Sequence, residues 1–466
     1  MKKITLIALA GLMLTAGCRK IEVDGTNNVY NPPSSNENTI LEGRIIANRT
    51  LKANYIYKLR GLVYVTNGAV LTIEPGTKIV GENGRNGGLI ITRSAKIIAD
   101  GTVDKPIVFT SESAAPTRGD WAGLVLLGNA PTNSSFNGVA GVGEIEGGIN
   151  NSDGLGLYGT PVTQAQNPAD NSGILRYVRI EYAGYAFLPD KEINGLTLGG
   201  VGNQTVIDYI QVAYANDDSF EWFGGTVNCK HLIAYKGLDD DFDCDNGFAG
   251  KVQFGISLRD SAIADISGSN GFEVDNDAGG SVATPQTSAV FSNMTVIGPR
   301  ENLTNVGNSN FKRGAHLRRN SSISIFNSIV MGWPTGWLLD ASTGRPTDLN
   351  IASNGMSISN NILAGNNSQV SYTASSTAPT GWNSASALSY FNRVGGGNDV
   401  VATTAGVGLT APFKYDNAVD FNPAAGSLAL TGAAFSDSRL TNYNVVTYRG
   451  ACASGDTWWK NWTRYF

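Results

Sequence analysis

A short strand template that recurs along the chain is the feature that most constrains its fold. From residue 61 onward, apolar runs rich in Val and Ile are separated by Gly, Asn, Pro or Asp, as in GLVYV at 61, TKIVG at 77 and AGLVLLG at 122. Helices would need longer stretches with a 3.6-residue period. The pattern therefore predicts short β-strands joined by tight corners.

These runs come in groups of three, and the groups repeat about every 27 residues. The same template returns in ILRYVRIEYAG at 174, VIDYIQVAYAN at 206 and ISIFNSIVMG at 323. Three short strands per repeat are typical of a parallel β-solenoid, in which each coil buries its inner side chains by stacking on its neighbours. We expect residues 129–172 and 185–200 to leave the stack as loops that form a binding face. A β-sandwich stays an alternative, although hairpin signals are few.

Composition excludes several classes of protein. The 57 Gly residues favour corners over long helices. A net charge of -5 argues against a nucleic-acid binder. With only two His residues, the chain has no HExxH zinc motif.

The N-terminus has the features of an export signal. Two lysines precede the apolar run ITLIALAGLML, and Thr-Ala-Gly-Cys follows it. We interpret residues 1–17 as a lipoprotein signal peptide, Cys18 as the lipidated residue and residues 18–40 as a flexible tether. The chain is then expected to be exported and anchored by Cys18 to the outer membrane or cell surface. The alternative is an ordinary cleaved signal with a chance cysteine.

Four phrases carry a resemblance to a known family: GAVLTIEPGTKIVG, IIADGTVDKPIVFTS, GDWAGLVLLG and LRYVRIEYAG. They resemble the right-handed parallel β-helix of the pectate-lyase-like superfamily, in particular its cell-surface lipoproteins of unassigned function. The expected fold is all-β, with the β-helix over residues 41–429. Residues 430–466, which end in GDTWWKNWTRYF, are expected to cap the open end of the stack. A carbohydrate-stacking platform is the alternative role for these aromatics.

Acidic residues concentrate in three copies of one motif, DDSFEWFGG at 217, DDDFDCDNG at 239 and SNGFEVDND at 269. Aligning them on their Phe residues places carboxylates one and three positions later. In a strand these positions share a face, so the Phe residues point inward and the acids outward. Stacked coils would then hold the carboxylates about 4.8 Å apart, where they repel unless something offsets their charge.

Oxygen ligands in this number suit Ca²⁺. The predicted metal ligands are Glu221, Asp243, Asp245, Glu273, Asp275 and Asp277, with carbonyl oxygens of Asn246 and Asn276 as further candidates. Three alternatives remain. The acids form a solvated turn, their pKa values are raised, or Lys251, Arg259 or Arg313 reaches across.

Two functions follow from these observations. In one, the β-helix displays a binding face to a polysaccharide or an outer-membrane protein, beside an acidic patch that suits Ca²⁺. In the other, the resemblance implies a Ca²⁺-dependent polysaccharide lyase or glycoside hydrolase on acidic glycans, with Lys251 or Arg259 as the candidate base. The family's catalytic motifs are not recognisable.

A basic group follows the acidic motifs and consists of Lys312, Arg313, Arg318 and Arg319. It is either a binding site for an acidic glycan or solvated charge. A pairing of Cys229 with Cys244 stays open.

Overall fold

The computed structural model describes residues 37–84, 86–185, 192–305 and 307–465. Its strands stack in three parallel ladders around one apolar interior, and the chain visits the ladders in turn on every coil. The parallel β-helix is thereby confirmed and the sandwich excluded. The predicted signal peptide, Cys18 and most of the tether lie outside the described residues. No described helix is long and apolar enough to cross a bilayer.

Five of the strands are long and bend midway from ladder 1 into ladder 2. Ladder 1 contains β2 (Arg49–Leu51), β4 (Val70–Ile73), β7 (Lys96–Asp100), the first halves of β14 (Gly173–Glu181), β16 (Val206–Ala213), β18 (Asn228–Tyr235), β20 (Lys251–Leu258) and β23 (Val290–Ile297), then β25 (Ser324–Phe326) and β28 (Ile358–Ser359).

Ladder 2 includes the strand segments that follow those bends. It contains the first halves of β1 (Ile40–Ile45) and β3 (Ile56–Val65), β5 (Lys78–Gly81), β8 (Ile107–Ser111), the second halves of the five long strands, β26 (Ile329–Met331), β29 (Ile362–Ala364) and β31 (Asp399–Val401).

Ladder 3 closes each coil and carries the acidic motif. It contains the second halves of β1 and β3, β6 (Gly88–Ile91), β9 (Gly123–Leu127), β15 (Leu196–Gly199), β17 (Phe220–Phe223), β19 (Phe242–Asp245), β21 (Ser269–Asn270), β22 (Phe272–Val274), β24 (Phe311–Leu317), β27 (Thr335–Asp340) and β30 (Ser368–Thr373).

The bends of the long strands are held by stacked rings. Tyr177, Tyr209, His231 and Phe254 adopt positive φ at equivalent corners. The Tyr209 ring lies 4.4 Å from that of Tyr177 and 4.2 Å from that of His231. Ring stacking contributes about 0.5–1.5 kcal/mol per pair, which offsets part of the cost of a left-handed backbone at non-glycine residues.

A segment inserted between β9 and β14 covers apolar side chains that face outward from ladder 3. An insertion at residues 129–172 forms two hairpins, β10 (Ser135–Phe136) with β11 (Val139–Ala140) and β12 (Val142–Glu144) with β13 (Leu157–Gly159). Its Ile145, Ile149 and Tyr158 pack on the outer face of ladder 3. The predicted surface loop is therefore a packed cover.

The aromatic C-terminus forms the expected cluster, on the side of the stack. After β32 (Leu409–Ala411) and β33 (Asp420–Pro423), residues 427–465, here called the strap, run along the outside of ladders 1 and 2. Trp462 lies 5.7 Å from Tyr177, ring centre to ring centre. The reason is that ladder 2 turns apolar side chains such as Ile233 and Ile297 outward, and the strap buries them.

The C-terminal end of the interior is instead filled by a short helix. α1 spans Leu349–Ala352 and α2 spans Ser384–Phe391. Asn383 caps α2 by accepting hydrogen bonds from the N–H groups of Ala385 and Ser386. Phe391 packs edge-on against Trp337 inside the last complete coil. Short 3₁₀ turns occur at Thr404–Val407, Leu428–Leu430 and Ser438–Leu440.

Candidate metal centre

The acidic residues of ladder 3 stack in the register that the aligned motifs predict. Phe220, Phe242 and Phe272 are paired on successive coils and are buried in the interior. The residues after them, Glu221, Asp243 and Glu273, form an outward-facing column. Thr197 precedes this column and His316 follows it.

A second acidic column runs beside the first, at the corner that leads into ladder 3. The Gly195 N–H donates to the Asp218 carbonyl at 2.9 Å, and the Ser219 N–H donates to the Asp240 carbonyl at 2.9 Å. The Asp240 N–H also donates to the Asp218 carboxylate at 2.7 Å. These bonds place Asp218 and Asp240 on adjacent coils, next to Glu221 and Asp243.

Carboxylate oxygens of the two columns converge in three overlapping triads. Within each triad the ligand oxygens lie within 4.8 Å of one another, and the triads are Asp217–Asp218–Asp239, Asp218–Glu221–Asp243 and Asp240–Asp243–Glu273. Asp218 belongs to the first two triads and Asp243 to the last two. Hard oxygen ligands at this spacing suit Ca²⁺ better than a softer metal.

Three of the seven acids in the triads are buried, and the other four are half-buried. Asp218, Glu221 and Asp240 are between 3% and 7% exposed. A solvated turn therefore does not describe these three, and each of their ionised oxygens needs a compensating charge or hydrogen bond.

Buried amide oxygens within the columns have no hydrogen-bond partner. Asn194 is fully buried, and its amide nitrogen donates to Glu221 and Glu146. Its Oδ1 is unpartnered, as is the Oδ1 of the fully buried Asn270, whose amide nitrogen donates to Glu273 at 3.1 Å. Buried carbonyl oxygens are rarely left unpartnered, so each of these two oxygens lacks a ligand or a hydrogen-bond donor.

The insertion contributes one carboxyl to this centre. Glu146, which follows β12, lies within hydrogen-bonding distance of Asn194 and Glu221. The sequence does not indicate this contact, because the insertion does not follow the strand template and has no register with the coils. Asp217, Asp218, Asp239 and Asp240 were visible as acidic runs but were not among the predicted ligands.

Burial and mutual repulsion raise the pKa values of this cluster. Burial is the largest cause, and neighbouring carboxylates add to it, so the pKa values of Asp218, Glu221 and Asp243 lie well above their ordinary range. The pKa values of Asp239 and Asp245 rise to about 7 for the same two reasons. At neutral pH the cluster therefore requires bound protons or a cation.

The far end of the acidic column is neutralised by the chain itself. Arg318 donates to Asp275 through two nitrogens at 2.8 and 3.0 Å and also contacts Glu273, while Arg319 donates to Asp275 at 2.6 Å. Burial alone would raise the pKa of Glu273, but the hydrogen bond from His316 and the charge of Arg318 outweigh it and lower that pKa. The basic group seen in the sequence thus supplies two counterions.

The six predicted ligands separate into two sets. Glu221, Asp243 and Glu273 lie in the triads. Asp245 accepts from the N–H of Asn246 at 2.5 Å, Asp275 is engaged by the two arginines, and Asp277 accepts from N–H groups of its own exposed turn. These three belong to none of the triads.

The two further candidate ligands serve other roles. The Asn246 carbonyl accepts from the N–H of Asn133 at 3.0 Å, and the Asn276 side chain accepts from the N–H of Thr287 at 2.8 Å. Asn246 thereby holds the insertion against ladder 3.

The two candidate bases also lie elsewhere. Arg259 is fully buried and donates to Asp241 at 2.8 Å. Lys251 lies on ladder 1, where its ammonium donates to the Thr441 carbonyl at 2.6 Å. Cys229 and Cys244 are buried and free, so they do not form a disulfide.

Comparison with known proteins agrees with this architecture. No curated protein and no solved structure matches the chain. A family model described as a pectate-lyase like beta helix domain matches residues 43–410, which covers all three ladders and the metal centre. The chain therefore belongs to the pectate-lyase-like β-helix family.

Proposed function

We propose that the protein is an exported lipoprotein, anchored through Cys18, whose β-helix binds Ca²⁺ at the metal centre and displays a binding face to a glycan or a partner protein. The observation that carries the Ca²⁺ part is the buried acidic cluster with too few counterions. Within the described residues, no Lys or Arg forms an ion pair with the acids of the first two triads, namely Asp217, Asp218, Glu221, Asp239 and Asp243.

Charge and ligand type both support a divalent cation. Carboxylates at this spacing repel one another, and burial strengthens the repulsion. A divalent cation shared by Asp218 and Asp243 would offset this repulsion. Mg²⁺ demands a small octahedral site and retains waters, whereas Ca²⁺ accepts six to eight oxygens in flexible geometry.

Burial favours binding over catalysis. Glu221 and Asp218 are nearly inaccessible, because the insertion packs beside them and adds Glu146. A polymer chain needs an open groove and a base that reaches its reacting carbon. Arg259 is fully enclosed, and Lys251 lies on another ladder.

Calcium titration tests the cation site. The metal-stripped protein should bind Ca²⁺ in a calorimeter, tighter than Mg²⁺, and should melt at a higher temperature with Ca²⁺ than with chelator. Because Asp218 and Asp243 together serve all three triads, the variant D218N/D243N should lose the calorimetric signal. Asp104→Asn, at an exposed turn between β7 and β8, is the matched control. Unchanged binding by the double variant would contradict the assignment.

The enzyme alternative has its own test. We expect no rise in ultraviolet absorbance from unsaturated products when the purified protein is incubated with uronate polymers. A rise that disappears in Asp243→Asn would instead support a lyase.

Labelling of cells tests the lipid anchor. A radioactive fatty acid should mark the wild-type protein and not Cys18→Ser.

A further inference from the structure

A cleft of about 480 Å³ lies between ladder 1 and the strap. It belongs to a different ladder from the metal centre, and its walls carry a different chemistry. Lys230 and Lys251 line it together with Asn203, Asn228, Asn442 and Tyr443. We propose that this cleft binds a small polyhydroxylated anion, held through its phosphate or carboxylate group by Lys230 and Lys251.

The hydrogen bonds that the structure shows for both ammonium groups go to neutral oxygens, although Asp208 is the in-register neighbour of Lys230 on the adjacent strand. Lys230 donates to the side-chain oxygen of Asn444 at 2.9 Å, and Lys251 donates to the Thr441 carbonyl at 2.6 Å. Among the residues that the structure describes, neither lysine forms an ion pair with a carboxylate. Each ammonium has three N–H donors, so two on each remain for a ligand.

The rest of the cleft supplies polar groups without negative charge. No Asp or Glu is among the described residues that line it. Asn203, Asn228 and Asn442 are exposed at its surface, and their amides both donate and accept hydrogen bonds, as sugar hydroxyls require. Oxyanions on lysine form charge-assisted hydrogen bonds, which are the stronger kind.

The floor of the cleft is rigid. The Tyr443 hydroxyl donates to the Val290 carbonyl at 2.5 Å, and the Lys251 ammonium lies 5.5 Å from the centre of the Tyr443 ring. The side-chain amide of Gln253 donates to the Asn444 carbonyl and accepts from the Asn444 N–H. These contacts fix the strap against ladder 1 and hold the two lysines before any ligand arrives, so little side-chain entropy is lost on binding. A volume of this size accommodates one or two sugar rings.

Calorimetric titration of the full chain tests the proposal. The probes are glucose 6-phosphate for the phosphate source and N-acetylneuraminic acid for the carboxylate source, with glucose as the neutral comparison. We expect at least one anion to bind and glucose not to bind. Each of Lys230→Met and Lys251→Met should weaken binding roughly tenfold, the effect of losing one charge-assisted hydrogen bond, and the double variant should abolish it.

Lys78→Met, which removes an exposed lysine of β5, is the matched control and should bind like the wild type. Circular dichroism and melting curves show whether the lysine variants keep the fold. Equal binding of glucose, undiminished binding by a folded double variant, or no binding of either anion would overturn the proposal. Ca²⁺ binding at ladder 3 is measured separately, so failure of one site leaves the other testable.

Discussion

The raised pKa of Asp245 makes the metal-free protein less stable as pH rises. Burial and the charge of Asp275 raise this pKa from 3.8 to about 7. A group whose folded-state pKa exceeds its unfolded value stabilises the fold while protonated, and this stabilisation is lost as pH rises through the folded-state pKa. Each step of one in pKa corresponds to ~1.4 kcal/mol, so this carboxyl alone should lower the free energy of unfolding by about 4 kcal/mol between pH 4 and pH 8.

Asp245→Asn removes that contribution. For a chain of 466 residues, an unfolding entropy of ~2.1 cal/mol/K per residue converts 4 kcal/mol into about 4 °C. In chelator, the melting temperature of the variant should therefore fall about 4 °C less than that of the wild type over this range. The depressed pKa values of Glu273 and of Asp340, the latter about 2, act in the opposite direction as pH falls below their ordinary values of 4.5 and 3.8.

Differential scanning calorimetry in chelator from pH 4 to pH 8 measures the effect, with Asp104→Asn as the control that should follow the wild type. If Asp245→Asn kept the full wild-type pH dependence, the cause assigned to it would be refuted. A wild-type melting temperature that rose steadily over this range would refute the repulsive cluster as a whole.

Three further predictions concern groups away from the acidic columns. Arg259→Met should lower the free energy of unfolding by about 3–5 kcal/mol in urea titrations, because it leaves the buried Asp241 carboxylate without its counterion, and a smaller loss in R259M/D241L would support this cause. Trp462→Ala should cost about 3–5 kcal/mol, because this indole of the strap is fully buried against the ladders; an unchanged melting curve would show that the strap is loose. Cys229 and Cys244 should not react with a thiol reagent until the protein is unfolded, because both are buried and burial raises the pKa of Cys229 to about 12.

Repetition determines how much of this molecule is predictable from its sequence. The three motifs around Phe220, Phe242 and Phe272 share a template, so their alignment predicts the stacked column of Glu221 and Asp243. Segments that occur once carry no such information. The spacing of residues within the insertion does not indicate that Glu146 reaches Glu221.

The roles of the strap and of α2 could not be predicted from the sequence either. The density of Trp in residues 458–462 predicts a packed aromatic cluster but not the surface that it covers. That surface consists of outward-facing apolar residues of ladder 2, such as Ile233. In the sequence these residues cannot be distinguished from apolar strand residues that face the interior. The helix that fills the end of the interior, α2, has only eight residues and weak periodicity.

The strap has a consequence for the order in which the chain acquires its stability. Coils of a solenoid ordinarily interact only with their neighbours, yet the strap connects the coil of Asn327, which accepts from the Ala434 N–H, with the coil of Arg179, which donates to the Trp462 carbonyl. Residues 427–465 are synthesised after all the coils that they cover. The middle coils therefore gain their outer layer only after the whole stack has been made, and removal of residues 427–465 should loosen the centre of the β-helix before its ends.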